Sequence, residues 1–288
     1  MIAVGYLHPA DCWDSTLIAD LLNGTLYPHG LDIQPVDGYP DADGCILVIP
    51  GRYYADDERI ADIDDAIARY EWVLGIRIGD EEDLFDIHQV AGPERMRWWV
   101  QTPRADRDYG DARLFGVGFT PHLRYLPADP PEKTTDVFLA AQNTHERRRE
   151  CFAAIQPGKS RKLVPTEGFT QGLPPAEYAE QMVRAKVAPC PSGPASPDSF
   201  RVWEALQAHA IPIADDITPG YDSAGYFNKL YPDAPFPILQ NYSDLPGYIE
   251  DQLGEWPMNA NRIVAWWMRQ RREMSRWLVD DLKALGAC

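Results

Sequence analysis

The densest concentration of chemistry in the chain lies between residues 188 and 216, Ala-Pro-Cys-Pro-Ser-Gly-Pro-Ala-Ser-Pro-Asp-Ser-Phe-Arg-Val-Trp-Glu-Ala-Leu-Gln-Ala-His-Ala-Ile-Pro-Ile-Ala-Asp-Asp. A strand ends near Pro191, a loop of small residues and prolines follows, Asp198 or Ser199 can cap a helix, and Ile211 begins the next strand. In a parallel sheet, ligands bind beyond the carboxyl ends of the strands, where a helix N-terminus offers free N–H groups and partial positive charge to an anion such as a diphosphate. Arg201 and Glu204 are three residues apart and share a helix face. The arginine suits phosphate oxygens, and the glutamate can accept hydrogen bonds from vicinal hydroxyls such as those of a ribose. An ordinary Arg–Glu surface pair has the same spacing.

Three further segments belong to the same layer of strand ends. Phe138-Leu-Ala-Ala-Gln-Asn-Thr-His-Glu-Arg-Arg-Arg149 runs from a strand into a basic helix start and offers Gln142, His145 and Arg148 to phosphates. Thr166-Glu-Gly-Phe-Thr-Gln-Gly172 can shape a base pocket with Gly168 and Phe169, although a plain glycine turn accounts for it nearly as well. The loop after the first strand, Leu7-His-Pro-Ala-Asp-Cys-Trp-Asp-Ser-Thr16, brings His8, Asp11 and Asp14 to the mouth of a first domain, with Asp14 also readable as a helix cap. Asp215 and Asp216 invite a metal reading, but a pair of acids after a strand is more plainly a loop and cap feature, so no metal is expected.

The elements that must position these groups alternate regularly. Apolar runs at Ile2–Tyr6, Leu31–Val36, Cys45–Ile49, Trp72–Ile76, Trp98–Val100 and Leu114–Val117, with helices at Ser15–Leu22 and Asp57–Tyr70, predict a parallel α/β domain. The proline-rich stretch from Leu126 to Thr135 reads as a linker. Beyond it the alternation restarts, with strands at Asp136–Ala140, Arg161–Val164, Val187–Pro191 and Ile211–Ala214 and helices at Arg147–Ile155, Pro175–Ala185 and Ser199–Ala208. Asn259 to Leu285 reads as an amphipathic helix or helix pair. The expected organisation is therefore residues 1–128, residues 129–256 and a helical segment over 257–288.

A length of 288 residues suits two domains with separate cores. No apolar run nears the roughly 18 residues that suggest a transmembrane span, and the N-terminus lacks a signal-peptide pattern, so a cytoplasmic protein without membrane contact is expected. Five scattered cysteines without a C-x-x-C spacing suggest neither disulfides nor structural zinc. A net charge of −17 disfavours non-specific nucleic-acid binding at long range while leaving room for a local basic patch.

Cys190-Pro-Ser-Gly193, Asp198-Ser-Phe-Arg-Val-Trp-Glu-Ala-Leu206 and Ile211-Pro-Ile213 together resemble, in order and spacing, the donor-site signature of exostosin-like glycosyltransferases. The close match covers about a tenth of the chain. The resemblance implies a GT-B fold: α/β, two Rossmann-like domains facing a cleft, with a C-terminal helix crossing back, a role open to the Trp266–Trp267 segment. It implies a nucleoside-diphosphate sugar as donor, UDP being the expected nucleotide, with Ser199 and Arg201 on the diphosphate, Glu204 on the ribose, Ser192 and Asp198 in the same donor loop, and neither metal nor other cofactor. An N-terminal carboxylate or histidine would deprotonate the acceptor, with Asp14 and His8 ranked ahead of Asp11. A protein or glycan acceptor is expected on charge grounds. The composition suits a high-GC bacterium or its phage, where a modified DNA base becomes the alternative acceptor. A non-catalytic sugar or nucleotide-sugar binding protein is the competing reading. Where the family usually has glycine before its I-P-V strand, this chain has His209-Ala210.

Overall fold

The computed structural model describes residues 1–7, 13–54, 56–125, 131–168, 171–218 and 225–287. The chain forms two compact units, residues 1–117 with 270–288 and residues 118–269.

The first unit is built on a six-stranded parallel sheet: β1 (Ile2–Tyr6), β2 (Ile33–Asp37), β3 (Gly44–Pro50), β4 (Trp72–Ile78), β5 (Arg95–Gln101) and β6 (Arg113–Phe115), in spatial order β2-β1-β3-β4-β5-β6. Helices α1 (Thr16–Leu26) and α2 (Asp57–Ile67) make two of the crossovers. The central strands β3 and β4 are buried along their whole length, as expected for sheets covered on both faces. Asp56 caps α2 by accepting from Arg59 N at 2.9 Å, and Ile60, Ile63 and Ile67 at helical spacing pack onto Cys45, Leu47, Ile49 and Val73. At Gly75 a Cβ would stand 2.6 Å from the Trp98 ring, so the close approach of that indole requires glycine.

The second unit carries a five-stranded parallel sheet: β7 (Thr135–Gln142), β8 (Arg161–Thr166), β9 (Ala185–Cys190), β10 (Ile211–Asp215) and β11 (Ile238–Leu239), in order β11-β10-β9-β7-β8. Its helices are α3 (Glu146–Ala154), α4 (Pro175–Arg184), α5 (Phe200–Gln207), α6 (Tyr226–Leu230) and α7 (Leu245–Gly254). Both sheets are parallel and Rossmann-like, as the alternation of the sequence predicts. In each, the chain leaves the first strand to one side and then crosses to the other, so a topological switch point falls between β1 and β3 in the first unit and between β7 and β9 in the second.

The division between units falls after Val117, earlier than the expected boundary at 128. Residues 118–125 belong with the second sheet because Thr120 bonds Glu204 and the Arg124 carbonyl accepts from Gln207 Nε2 at 3.3 Å. The C-terminal segment is one helix, α8 (Trp256–Ala284), with no glycine or proline after Pro257 to break it. Its first half packs in the second unit through Trp266 and Trp267, and its second half packs in the first unit through Met274, Leu278 and Leu282. Trp99 Nε1 donates to Asp281 at 2.8 Å, and Arg113 approaches the same carboxylate at 3.4 Å. No helix among the described residues is long and apolar enough to cross a membrane.

Candidate functional site

The carboxyl edge of the second sheet collects most of the residues singled out by spacing. Gln142 ends β7, in register with Thr166 of β8, and Asn143 N continues the pairing to the Thr166 carbonyl at 2.7 Å. His145 then occupies the N-cap of α3, and Ser199 occupies the N-cap of α5 on the far side of the switch point; neither side chain caps its helix. Neither N-cap side chain therefore closes the first turn of its helix.

Between them lies Ser192, fully buried after β9, whose carbonyl accepts from Arg148 Nε at 3.1 Å. Ser192 Oγ, Ser199 Oγ and both ring nitrogens of His145 are buried without a hydrogen-bond partner among the described residues. Buried polar atoms in this condition are uncommon, because each forfeits its hydration without replacement. Burial, with Arg148 beside it, pushes the His145 imidazole down to about 4, so the ring is neutral at physiological pH. A neutral imidazole offers one donor and one acceptor, suited to a ligand oxygen or hydroxyl.

Arg201 reaches from α5 to β7, where its Nε donates to the Ala140 carbonyl at 2.8 Å. That bond fixes the guanidinium across the switch point. Glu204 is 3% exposed and accepts from Thr120 Oγ1 at 2.8 Å and Tyr178 OH at 2.6 Å. Burial of Tyr178, together with the neighbouring Glu204 carboxylate, raises its hydroxyl well above the usual tyrosine range. For Glu204 to hold a ribose, at least one of these protein donors would have to share its oxygen. Asp198 is fully engaged in the protein, bonded to Trp203 Nε1 and Tyr226 OH, and thereby sets the path of the loop between β9 and α5. Gly168 forms a turn, its carbonyl accepting from Gln171 N at 3.3 Å; Phe169 lies outside the described residues.

The acidic pair at the end of β10 is built into the fold. Asp215 is bonded by Arg147, by Tyr242 OH at 2.8 Å and by the Ser192 amide at 3.4 Å. Asp216 accepts from the Gly225 and Phe227 amides and from Gln240, and its burial raises its carboxyl above the usual range. Among the described residues no group of three or more His, Cys, Asp or Glu side chains is arranged to hold a metal ion. In the His209-Ala210 pair before β10, His209 takes a left-handed conformation with φ 57°. Its amide reaches the Leu206 carbonyl at 3.1 Å and the Ala210 amide reaches Ala205 at 2.8 Å, the paired bonds of a Schellman-type helix end.

In the first unit, Asp14 lies in a single 3-10 turn, Trp13–Ser15, at the carboxyl edge of the sheet; Ser15, not Asp14, is the N-cap of α1. Gln101, at the end of β5, donates to the Asp14 carbonyl at 2.8 Å and to Val117 at 3.1 Å while accepting from Gly79 N at 3.0 Å. One buried amide therefore holds the ends of three loops and fixes Asp14 at the strand ends. His8 and Asp11 lie outside the described residues. Across this switch point, the turn Gly51–Tyr54 exposes Arg52 and Tyr53, and Tyr54 OH donates to the Leu7 carbonyl at 3.4 Å.

Sequence spacing missed the groups that arrive from a distance: Thr120 and Tyr178 on Glu204, Arg147 and Tyr242 on Asp215, and Gln101 on Asp14. The only local signal among them is the polar Gln101 at the end of an apolar strand. No known protein-family model and no curated protein matches the chain.

Proposed function

We propose that the chain is a glycosyltransferase of the GT-B kind that moves a sugar from a nucleoside-diphosphate donor to an acceptor hydroxyl, with the second unit holding the donor. The observation that supports this reading is the switch point between β7 and β9. Two helix N-termini without caps from their N-cap side chains meet there with Ser192, Ser199 and His145, whose buried side-chain polar atoms have no hydrogen-bond partner among the described residues. A diphosphate would supply acceptor oxygens to the serine hydroxyls, to one imidazole N–H and to the helix amides.

In this reaction the acceptor oxygen attacks the anomeric carbon, the bond from that carbon to the diphosphate oxygen breaks, and the electron pair leaves with the nucleotide. Negative charge grows on the diphosphate, where α5 and Arg201 oppose it. The proton of the acceptor hydroxyl passes to a base, for which Asp14 is the candidate in the described part of the loop after β1. Glu204 acts as a positioning residue that holds α5 against α4 and residue 120. The test is calorimetric titration with UDP, GDP, CDP, ADP and their sugars, followed by assay of sugar release from the donor that binds. Binding of one nucleotide that weakens at least tenfold in Arg201→Ala and Ser192→Val, together with donor turnover lost in Asp14→Asn, is the expected result. Absence of binding by every nucleotide overturns the reading, and binding without turnover reduces the protein to a nucleotide-sugar receptor.

A further inference from the structure

A pocket of about 410 Å³ opens in the first unit, lined by Tyr39, Pro40, Asp41, Ala42 and Arg69. None of these residues belongs to the candidate site at the carboxyl edge. The pocket arises from the way the chain passes from β2 to β3. Residues 38–43 join those strands by crossing the face of β1, where a Cβ at Gly5 would stand 2.6 Å from the Gly38 carbonyl and 2.7 Å from the Pro40 ring. Gly38 makes the turn into this crossing with φ 82°. Two bonds then fix the crossing against the segment after α2: Tyr70 OH donates to the Pro40 carbonyl at 2.7 Å, and the Glu71 amide to the Asp43 carbonyl at 2.6 Å. The pocket thus has a fixed frame at the amino ends of β3 and β4, the opposite end of this sheet from Asp14.

Its polar groups are held apart from one another. The Arg69 guanidinium lies 5.6 Å from the centre of the Tyr39 ring and 5.0 Å from that of Tyr70, and its Nη2 donates to Tyr70 OH at 3.0 Å. Held in this way, it forms no ion pair with a described residue, although the Asp41 charge is within range. Asp41 is exposed and has neither hydrogen bond nor ion pair among the described residues. Burial, with Tyr54 and Asp62 adding to the effect, pushes the Tyr39 hydroxyl up to about 12, which keeps it protonated as both donor and acceptor.

We propose that this pocket is a carbohydrate subsite that holds one pyranose ring through its hydroxyls. Two neighbouring hydroxyls can donate to a single carboxylate and accept from the N–H groups along one guanidinium edge. Asp41, Arg69 and the Tyr39 hydroxyl place that acceptor, that donor and a group of both kinds around one concavity. Its volume falls within the range of small-molecule sites, about 300–1,000 Å³. An anion such as phosphate is the poorer fit, because Asp41, the nearby Asp43 and Asp62, which acts on Tyr39, outnumber the one cation. A flat aromatic ligand gains little, since Tyr39 packs against the core beneath α2 and Arg69 already lies over its ring. A zwitterion would rely on charge pairs in open solvent, which contribute little. The inference does not depend on the donor reading. If both hold, the subsite grips a sugar of a glycan acceptor away from the end that reacts.

The experiment is an amide-resolved NMR titration of the full chain, without nucleotide, using the methyl glycosides of glucose, galactose, mannose and N-acetylglucosamine. At least one is expected to shift the amides of Tyr39, Asp41, Ala42 and Arg69 saturably, with a Kd in the millimolar range. Asp41→Ala, which removes no hydrogen bond or ion pair among the described residues, should weaken that binding at least fivefold at an unchanged melting temperature. Arg69→Met should weaken it as much, and Ala42→Trp, which fills the pocket from an exposed position, should abolish it. Absence of shifts at these amides with every glycoside, tested into the tens of millimolar, overturns the proposal. Equal binding by the folded Asp41→Ala and Arg69→Met variants does so too. Shifts produced by glycine or by inorganic phosphate, with every glycoside ignored, assign the pocket to a zwitterion or an anion and also overturn it.

Discussion

Replacing Glu204 with alanine separates two accounts of the residue. Its carboxylate accepts from Thr120 and Tyr178, and 97% of its surface is buried. Hydrogen bonds to a charged group each contribute about 1.5–3 kcal/mol, and their loss leaves two hydroxyls without an acceptor. A cost of about 4.5 kcal/mol follows from two such bonds at the middle of that range. For a domain of about 150 residues, the size of the unit spanning 118–269, each kcal/mol lowers the melting temperature by roughly 2–4 °C. Calorimetry of Glu204→Ala should therefore show the second unit melting about 9–18 °C lower. Glu204→Gln, which keeps the shape and one carbonyl acceptor, should lose less than half as much. A double-mutant cycle with Tyr178→Phe should return a coupling of about 1.5–3 kcal/mol. A melting temperature within 2 °C of the parent in Glu204→Ala, combined with lost nucleotide binding, would refute the reasoning. It would show that the carboxylate spends its binding capacity on a ligand.

Four other expectations concern stability. The His145 imidazole is held down to about 4 in the folded protein, against 6.5 for the free ring, so its contribution is complete above pH 6.5 and is lost as pH falls towards 4; chemical denaturation of the parent should show a steeper acid loss than His145→Asn. Burial lowers the Lys133 ammonium to about 7, so the unfolded chain holds the extra proton between pH 7 and 10.5 and stability should rise with pH over that window, a rise absent in Lys133→Met. Asp281→Leu strands the indole N–H of Trp99 and the neighbouring Arg113, and denaturant titration should register a loss of about 2–4 kcal/mol. His209→Gly relieves a left-handed backbone at a β-carbon-bearing residue and should gain up to about 1 kcal/mol, read as a higher denaturation midpoint.

Much of the architecture was legible because its strands are central and buried. Gly44–Pro50 and Trp72–Ile78 announce themselves as continuous apolar runs, and α2 does so through isoleucines at 60, 63 and 67. Strand β11 has only two residues and α6 only five, too short for any period to register, and α7 was hidden by its polar residues. Placing groups at strand ends required only the element order, which is why spacing alone puts Gln142, His145, Ser192 and Ser199 at the carboxyl edge of the second sheet. What their side chains bond could not be found that way. Arg201 turns to a carbonyl 61 residues earlier and Glu204 to a hydroxyl 84 residues earlier, contacts fixed by folding and carried by no local spacing. The resemblance to exostosin-like transferases gave these two residues their expected roles; the structure adds the protein groups with which any ligand must share them.

The division of α8 between two cores has a consequence for the order of folding during synthesis. The second unit is continuous in sequence and is complete once Arg269 has emerged, whereas the first lacks its last layer until the final turns of α8 are made. At roughly 5–20 residues per second, some 8–30 seconds of translation separate Val117 from that layer. The N-terminal sheet thus closes after the second unit is complete, and through that interval the faces that will receive Met274, Leu278 and Leu282 remain open to chaperones. The side chain that ends the wait is Asp281, arriving at the indole N–H of Trp99.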